Sequence, residues 1–454
     1  MEKLSLQDIA EAVGSRIDDG LDTEILSVST DTRKIEPGSL FIPIKGERFD
    51  GHDFIDKALQ LGAAAALTER PDECGPRKIY VPDTRLAYLR LAGWYRRRFP
   101  VSVVGVTGSV GKTTTKEMIA AVLESKYRTL KTEGNHNNEI GLPATLLELD
   151  SSYQMAVIEM GMSHFREISR LSQCAAPNLG VITNIGVSHI ENLGSREGIL
   201  RAKLEILDGM ERQAPLILNA DNDLLGRAAE ELDREVLCYG IESEIAEIRA
   251  VDIIEQKRST EFDILYYGKR IHAKLPTVGR HNVYNALAAF GVGLSMDIPP
   301  EKMAAALEAY APSGMRQRIV DSHGMTLIED CYNASPDSMR AAIGVLAGME
   351  CAGRRIAVLA DMLELGEIAG RAHREVGKLA AESGIDMLLC YGELSRELAE
   401  TARANGLAQA FHFRSKEELA KELLRQARSG DCILFKGSRG MRLEEVIEKL
   451  NRES

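Results

Sequence analysis

The sequence predicts an α/β protein of three domains, in which a central parallel-sheet domain carries a phosphate-binding loop. Three observations predict this class. The apolar β-branched run Val103–Val106 ends at a glycine-rich turn, and a helical pattern begins directly after the turn. Further along the chain, strand-like apolar runs alternate with helical patterns, which is typical of parallel α/β sheets. Two seams, at 95–100 and 309–315, separate this region from the segments before and after it.

The seams divide the 454 residues into predicted domains at 1–98, 99–313 and 314–454. A chain of this length predicts about three domains. The first domain is small and α/β. The last repeats the strand–helix rhythm and has the pattern of a doubly wound, Rossmann-like unit, although it lacks the G-x-G-x-x-G turn. The strand-like runs of the second and third domains lie at 155–158, 180–183, 216–219, 356–359, 387–390 and 432–435.

Composition excludes several classes of function. A content of 44% hydrophobic and 27% charged residues is typical of a soluble globular protein. The net charge of −12 argues against nucleic-acid and membrane-surface partners, because both favour basic faces. The sequence has no apolar signal region near Met1 and no run long enough to span a bilayer. Seven scattered cysteines without a Cys-x-x-Cys pair indicate reduced thiols, and so a cytoplasmic protein.

The turn after Val106 has the layout of a phosphate-binding loop, except that Val106 stands where G-x-x-x-x-G-K-[ST] has its first glycine. Glycines let backbone N–H groups face phosphate oxygens, Lys112 reaches the terminal phosphates and the Thr113 hydroxyl binds Mg2+. The alternative is an ordinary strand–turn–helix with a surface lysine. The loop thus predicts ATP or GTP binding without identifying the reaction. Its candidate residues are Thr107, Gly108, Ser109, Val110, Gly111, Lys112, Thr113 and Thr114.

Three further polar residues lie near the ends of predicted central strands. Glu159 ends one strand, His189 follows the next, and Lys203 lies on a helix beyond them. A P-loop protein needs an acidic Mg2+ partner from a neighbouring strand, which favours Glu159. Taken singly, the three also suit a capping carboxylate, a loop histidine and an exposed helical lysine, so both interpretations stay open.

The loop and a series of further segments resemble the Mur ligases, the family that builds the cytoplasmic precursor of peptidoglycan. The loop of that family also lacks the first glycine. The resemblance extends in order along nearly the whole chain, and the later segments are typical of the last ligase of the series. The segments that carry it, besides the loop, are 29–33, 45–55, 134–141, 330–339, 361–366 and 436–441.

The resemblance implies an ATP-dependent amide ligase that joins D-alanyl-D-alanine to UDP-N-acetylmuramoyl-tripeptide through an acyl phosphate. It implies that the N-terminal domain binds the UDP-linked substrate, that the protein is a monomer, and that the C-terminal domain closes about hinges near Pro312–Met315 and Pro100. The alternatives are the related ligase that adds the third peptide residue, a folate polyglutamate ligase and a nucleotide-sensing homologue without catalysis.

The resemblance also assigns roles around two Mg2+ ions. Thr113 and Glu159 would bind one ion and His189 the second. Lys203 would carry a CO2-derived carbamate, which turns a cation into an anionic oxygen ligand. Lys112 would neutralise the transferring phosphoryl group.

Four later residues would serve the nucleotide. Asn282 and Asn285 lie one helical turn apart, and their amides would contact the adenine edge. Arg316 and Asp330 would close on the γ-phosphate and the nucleotide. The alternatives are polar residues on an amphipathic helix and a solvated linker arginine.

The remaining implied sites bind the two substrates that are joined, the UDP-linked tripeptide and the dipeptide. The base that deprotonates the attacking amine is not identified; His373 is a candidate, and His189 is excluded as a metal ligand. The segment 29–33 also suits a hairpin turn, and 436–439 a polar strand-to-helix turn. The implied substrate-binding residues are Ser29, Thr30, Asp31, Arg33, Lys45, Gly46, Asp50, Gly51, His52, Asn135 and Asn138, and, for the dipeptide, Asn333, Ser335, Lys436, Ser438 and Arg439.

Overall fold

The structure is a computed structural model that describes residues 1–16, 23–46, 49–312 and 314–453. Three residues of the sequence predictions, Glu47 and Arg48 of the N-terminal motif and Ser313 of the hinge and domain boundary, lie outside the described residues. The chain forms two compact units. The first comprises Met1–Thr107, Lys126–Val181 and Ala202–Leu216, and the second Gly108–Ser125, Ile182–Arg201 and Ile217–Ser454.

The strands follow one another along the chain with helices between most of them, as the sequence predicts. In chain order the strands are β1 (Leu4–Ser5), β2 (Glu24–Ile25), β3 (Ser27–Ser29), β4 (Ser39–Phe41), β5 (Ala65–Thr68), β6 (Lys78–Tyr80), β7 (Ser102–Thr107), β8 (Thr129–Lys131), β9 (Met155–Glu159), β10 (Leu179–Ile182), β11 (Leu216–Asn219), β12 (Val236–Gly240), β13 (Ile248–Glu255), β14 (Thr260–Tyr266), β15 (Lys269–Leu275), β16 (Arg318–Ser322), β17 (Met325–Glu329), β18 (Arg355–Ala360), β19 (Met387–Tyr391), β20 (Ala410–Phe413) and β21 (Cys432–Lys436).

The helices alternate with these strands, and short 3-10 turns lie at Thr32–Lys34, Gly51–Phe54, Pro71–Glu73, Glu205–Gly209, Gly366–Ile368 and Arg439–Met441. In chain order the α-helices are α1 (Leu6–Val13), α2 (Ile55–Gln60), α3 (Thr84–Arg96), α4 (Lys112–Glu124), α5 (Gly141–Leu146), α6 (Glu167–Ala175), α7 (Ile190–Leu193), α8 (Arg196–Leu204), α9 (Asp223–Glu231), α10 (Arg280–Ser295), α11 (Pro300–Glu308), α12 (Pro336–Gly348), α13 (Ala369–Glu382), α14 (Ser395–Ala404), α15 (Lys416–Gln426) and α16 (Glu444–Glu453).

The first unit contains a short pair, β1-β2, a four-stranded parallel sheet in the order β3-β4-β5-β6, and the strand order β10-β7-β9-β8. Strand β9 pairs in parallel with both β7 and β8. All five residues of β9 are buried, which is expected of a strand covered on both faces. The carboxyl end of β9 is Glu159, so this topology brings a polar residue to the edge where α/β proteins bind ligands.

The second unit contains a six-stranded sheet in the order β16-β17-β21-β18-β19-β20, in which β16 and β17 pair antiparallel and the other neighbouring strands pair in parallel. Alternate residues of β18 enter two separate cores: Ala357 and Leu359 pack in one, Ile356 and Val358 in the other. This alternation is the mark of a sheet with helices on both faces. The Rossmann-like prediction for the C-terminal part therefore agrees with the structure.

In the strand order β15-β14-β13-β12-β11, the strands β13, β14 and β15 form an antiparallel segment that the sequence analysis did not predict. Buried and partly exposed residues alternate strictly along β14, from Thr260 to Tyr266. That period of two is the usual pattern of an antiparallel strand with one solvated face.

No helix in the described ranges is long and apolar enough to cross a membrane.

Candidate active site

The phosphate-binding loop runs from the end of β7 at Thr107 to the start of α4 at Lys112. Gly108 and Gly111 both have positive φ, 152° and 83°. A Cβ on Gly108 would lie 1.8 Å from Thr183 Oγ1, and one on Gly111 would lie 2.8 Å from Asn285 Oδ1. Both positions therefore need glycine for backbone conformation and for space. Within the first unit, Thr107 donates from Oγ1 to the carbonyl of Met160 at 2.9 Å.

Asn184, just beyond β10, organises the loop and was missed by the sequence analysis. Its Oδ1 accepts hydrogen bonds from the backbone N–H groups of Ser109 at 3.0 Å and Val110 at 2.9 Å. Ser109 Oγ in turn accepts from the N–H of Gly186 at 2.9 Å. The same two N–H groups that a phosphate would use thus already face an amide oxygen. The signal available in the sequence was a polar residue directly after a buried strand.

Lys112 and the two threonines after it occupy the first turn of α4. Lys112 donates from Nζ to the carbonyl of Gly108 at 2.8 Å, so its ammonium folds back over the loop. Thr113 is buried and Thr114 is partly exposed. The Lys112 ammonium and the Thr113 hydroxyl therefore lie at the N-terminus of α4, a helix of 13 residues. The helix dipole favours anions at this end.

Glu159 is buried at 1% exposure, and two neighbours fix its position. Its N–H donates to Thr132 Oγ1 at 3.0 Å, and its Oε1 accepts from Asn137 Nδ2 at 2.7 Å. Asn137 also accepts the N–H of Gly161 at its backbone oxygen. Asn137, which the sequence analysis did not single out, is thus a residue that orients the carboxylate; Asn135 and Asn138 of the same segment stay predicted substrate-binding residues.

Lys203 is buried at 2% exposure near the end of α8. His189 caps α7 with a positive φ of 61°, and its Nδ1 lies 3.0 Å from Glu364 Oε2, an ion-pair distance. Glu364 belongs to the segment 361–366 that the sequence analysis singled out. The structure therefore places this segment in contact with His189.

The side chains present can supply some of the oxygen ligands of Mg2+, and a bound phosphate would have to supply others. A buried carboxylate and a threonine hydroxyl are hard oxygen donors. Within the described part of the chain, no group of three or more His, Cys, Asp and Glu residues could hold a metal ion unaided. Mg2+ is commonly bound by one or two carboxylates together with substrate phosphates, so this donor set fits that mode of binding.

Asn282 and Asn285 are both buried on α10. Asn282 donates from Nδ2 to the Val278 carbonyl at 2.9 Å and to Gln317 Oε1 at 2.5 Å. Asn285 donates to Asn282 Oδ1 at 3.3 Å and accepts from Thr115 Oγ1 at 3.0 Å. Gln317, which the sequence analysis missed, joins this amide cluster from the segment before β16.

Tyr332 provides a flat face between two predicted site arginines. The Arg316 guanidinium carbon lies 3.9 Å from the centre of the Tyr332 ring, and that of Arg439 lies 6.0 Å from it. Arg439 also pairs with Glu444 at 3.1 Å and is largely exposed. The cation–π contact orders Arg316, so a freely solvated linker arginine does not describe it.

The other C-terminal candidates differ in how far the protein already engages them. Lys436 is buried and donates to Asp330 Oδ2 at 2.7 Å. Ser438 is buried and accepts the N–H of Leu363 at 2.9 Å. Ser335 is the N-cap of α12, whereas Asn333 is exposed. Asn333 and Arg439 thus remain accessible to a ligand, and the other three also hold the local backbone together.

His373 is a structural residue, so its candidacy as the base is wrong. It is fully buried, and its Nε2 accepts the N–H of Met362 at 3.0 Å. The proton must then be on Nδ1, which donates to the Ala369 carbonyl at 2.7 Å. Burial lowers the pKa of His373, despite the hydrogen bond to Ala369. Both ring nitrogens are engaged, and the neutral ring is held in one tautomer.

The N-terminal segment 29–33 is not a hairpin turn, because β3 and β4 pair in parallel. Asp31 caps the 3-10 turn Thr32–Lys34, and its carboxylate accepts the backbone N–H and Nε of Arg33. These hydrogen bonds from Arg33 lower the pKa of Asp31 to about 2. Ser29 Oγ donates to the carbonyl of Asp31 at 2.9 Å, and Thr30 lies between them, partly exposed.

Asp50 and His52 form a second capped turn. Asp50 Oδ1 accepts the N–H of His52 at 2.9 Å and lies 2.6 Å from its Nδ1, while His52 Nε2 accepts the N–H of Glu69. Burial opposes ionisation of Asp50, but these bonds and Arg70 lower its pKa to about 2. A Cβ on Gly51 would lie 2.7 Å from Ile44 N, so only glycine fits there. His52 therefore supports the turn from a buried position.

The remaining candidates of the first unit lie on exposed turns. Lys45 and Gly46 are exposed, and the Lys45 carbonyl accepts from Arg85 Nη2 at 3.4 Å. Asn135 and Asn138 are exposed as well. Asn138 Oδ1 accepts the N–H of Ile140 and of Gly141 at the start of α5, so it acts as a cap.

Comparison with known proteins assigns the chain. Residues 24–102 match the Mur ligase family catalytic domain, 106–293 the Mur ligase middle domain, and 315–439 the Mur ligase glutamate ligase domain. The chain is 42% identical over 457 residues to UDP-N-acetylmuramoyl-tripeptide–D-alanyl-D-alanine ligase of Bacillus subtilis (strain 168), with 99% of each chain covered.

Solved structures agree with the sequence comparison. The crystal structure of MurF from Acinetobacter baumannii superposes with a TM-score of 0.93 at 31% identity, covering 100% of this chain and 99% of that one. MurF ligase from Thermotoga maritima, solved in complex with ADP, superposes with a TM-score of 0.85 at 30% identity over 94% and 97% of the two chains. The predicted α/β architecture of three domains is confirmed by these matches. The chain belongs to the Mur ligase family.

Proposed function

We propose that the protein is the ATP-dependent ligase that joins D-alanyl-D-alanine to UDP-N-acetylmuramoyl-tripeptide, giving UDP-N-acetylmuramoyl-pentapeptide, ADP and phosphate. The observation that carries this proposal is the similarity along the full length to a relative of that name, together with an intact loop in which Lys112 begins α4. The proposal keeps the domain boundaries 1–98, 99–313 and 314–454. It also keeps a cytoplasmic location and a monomer.

The reaction requires activation of a carboxylate before amide formation. The terminal carboxylate of the tripeptide attacks the γ-phosphorus of ATP, and ADP leaves with the bonding electrons. The amine of the dipeptide then attacks the acyl carbon, and phosphate leaves from the tetrahedral intermediate. Lys112 and the loop N–H groups balance the charge on the transferring phosphoryl group, which is the main task in such transfers.

Three residues would hold Mg2+, namely Thr113, Glu159 and His189. Bound Mg2+ would supply charge neutralisation at the phosphate oxygens. The proposal includes two Mg2+ ions. On the protein side, Asn137 keeps Oε1 of Glu159 in place.

We include in the proposal a carbamate on Lys203. Lys203 is 2% exposed, and its amine would react with CO2 in the neutral form. Growth and assay with 13C-labelled bicarbonate would give a carbamate carbon signal in the wild-type protein and none in Lys203→Arg. An identical spectrum for both proteins would remove the carbamate from the proposal.

The nucleotide and substrates would be shared among the remaining residues. Asn282 and Asn285 would contact adenine, and Arg316 and Asp330 would lie against the nucleotide after closure. For the dipeptide, the exposed Arg439 is the best placed partner for its free carboxylate, because a guanidinium binds a carboxylate in a bidentate manner. The turns around Asp31 and Asp50 would bind the UDP-linked substrate.

Phosphate release with ATP and Mg2+ tests the function, with UDP-N-acetylmuramoyl-tripeptide and D-alanyl-D-alanine added separately and together. Release that needs both, with a UDP-pentapeptide detected by mass, is expected. Release with the tripeptide alone would keep the activation step and reject the acceptor. Release with UDP-N-acetylmuramoyl-dipeptide and a diamino acid instead would favour the ligase for the third residue.

Lys112→Ala separates an enzyme from a nucleotide-sensing homologue. A ligase loses turnover by about 100-fold or more when the charge at the transferring phosphate is removed. Complementation of a strain that lacks the ligase would fail with Lys112→Ala if turnover is the biological role. Growth supported by this inactive variant would favour the sensing role.

A further inference from the structure

Asp337 lies in the first turn of α12 and faces the phosphate-binding loop of the same compact unit. Its Oδ2 lies 2.3 Å from the point that a Cβ on Gly186 would occupy. Ser109 Cβ lies 3.4 Å from that same point. Gly186 donates its N–H to Ser109 Oγ, so the carboxylate lies beside the loop itself. Asp337 remains exposed as a residue, so a substrate can reach it.

The charged groups that act on Asp337 come from two elements. Arg340 lies on its own helix, and Arg196 lies on α8. Arg196 is already bound to both carboxylate oxygens of Asp223 and to the Ile185 carbonyl, so its charge is largely engaged away from Asp337. Burial of the carboxyl group disfavours its charged form and so raises the pKa of Asp337. The charges of Arg340 and Arg196 oppose this effect only partly.

A carboxylate beside a phosphate-binding loop is unfavourable on electrostatic grounds, because it repels the phosphates. The arrangement becomes favourable when a cation enters between them. In the proposed reaction one substrate supplies such a cation, since the amine of the dipeptide arrives as an ammonium and must lose a proton before it attacks. His373, the other candidate for this task, is buried and fully engaged.

We propose that Asp337 is the general base that receives the proton of the attacking ammonium. This inference rests on the proposed function. An N–H bond of the ammonium breaks and an O–H bond forms on the Asp337 carboxylate. The freed electron pair forms the C–N bond to the acyl carbon, and the C–O bond to phosphate breaks as phosphate leaves with its electrons. The proton then passes from Asp337 to solvent.

The test compares two nucleophiles in Asp337→Asn. With D-alanyl-D-alanine, pentapeptide formation is expected to fall about 100-fold, the lower end of what a general base supplies. Hydroxylamine is uncharged at neutral pH, so its capture of the acyl phosphate as a hydroxamate should fall far less. The acid limb of the pH profile for pentapeptide formation should disappear in Asp337→Asn and shift in Asp337→Glu.

Glu417→Gln is the matched control. Glu417 is the second residue of α15 and follows the N-cap Ser415, just as Asp337 follows the N-cap Ser335 in α12. Both substitutions remove a negative charge from the same position of a helix, but Glu417 pairs with Lys449 on α16, within the C-terminal part. The control should therefore leave both nucleophile reactions and the pH profile as in the wild type.

Two results would overturn the inference. Equal losses with both nucleophiles would show that Asp337 positions the loop without moving a proton. An unchanged pH profile in Asp337→Asn would assign the proton to another group. Failure of the proposed function is distinct from either result, because the wild-type protein itself would then form no pentapeptide.

Discussion

Lys436 Nζ lies 2.7 Å from Asp330 Oδ2, and the two residues stand at the carboxyl ends of neighbouring parallel strands. The pairing of Glu329 with Phe435 in β17 and β21 sets this register and brings the next residues together. Lys436 is 2% exposed and also donates to the Asn333 carbonyl at 3.2 Å. The sequence analysis gave these residues to different ligands, and the structure joins the buried Lys436 and the partly exposed Asp330 in one ion pair.

Lys436→Met should therefore act first on stability. Breaking a buried ion pair leaves an uncompensated charge, so the free energy of unfolding should fall by about 3 kcal/mol. The double variant with Asp330→Asn should recover part of that loss, which urea unfolding would measure. Arg439→Ala is the control: it is exposed, should cost less than about 1 kcal/mol, and should instead raise the KM for the dipeptide. Additive losses in the double variant would contradict a coupled pair.

Asn184→Asp should weaken ATP binding strongly. The substitution replaces the amide oxygen that accepts from Ser109 and Val110 with a carboxylate, whose charge repels the phosphates at short range. We expect the KM for ATP to rise about tenfold or more. Asn184→Ser, which keeps a neutral acceptor, should have a smaller effect. Equal KM values for the two variants would mean that Asn184 has no electrostatic influence on the nucleotide.

The parts of the fold that the sequence predicted are those with a local cause. The run from Val103 to Thr107, two glycines and a helix-starting lysine lie within ten residues, so propensity and pattern suffice to identify them. Similarly, β18, β19 and β21 of the C-terminal part are mainly apolar runs, as expected for strands covered on both faces. The role predicted for Glu159 followed from its position at a strand end, and that predicted for Lys112 from its position at the start of α4.

The residues that the sequence analysis missed act over long separations. Asn184 reaches the loop across 74 or 75 positions, and Gln317 reaches Asn282 across 35. Nothing in the local pattern distinguishes Asn137 from Asn135 or Asn138; only the register of β9 decides which amide meets Glu159. Single-sequence reasoning locates the strand end but cannot choose among the side chains that converge there.

Asn137→Ala should raise the Mg2+ requirement. The substitution removes the 2.7 Å hydrogen bond that Glu159 Oε1 accepts and so weakens the positioning of the carboxylate. Loss of a residue that orients a metal ligand typically weakens metal binding by about 10-fold or more. A Mg2+ titration of phosphate release would measure this change. Asn405→Ala, which also removes an amide hydrogen bond but at the end of α14, should leave the titration unchanged. An unchanged titration in Asn137→Ala would separate Glu159 from the metal.

His373→Asn should change the pH dependence of stability rather than the chemistry. The buried neutral ring has a lowered pKa, so the unfolded chain binds the extra proton first as the pH falls below its ordinary value of 6.5. The contribution of His373 is therefore present above that pH and is lost as the pH falls, by up to about 1.4 kcal/mol per pH unit.

The variant should be less stable at about pH 8 by roughly 1–3 kcal/mol, because the N–H of Met362 and the carbonyl of Ala369 lose partners. The difference in free energy of unfolding between the variant and the wild type should become smaller towards about pH 5, since only the wild type must keep this ring uncharged. Urea unfolding across this range measures both effects, and the difference between the two proteins cancels other titrating groups such as His281. The turnover number of the folded variant at about pH 8 should stay within a few-fold of the wild type. A large loss of turnover with unchanged stability would return His373 to the role of base.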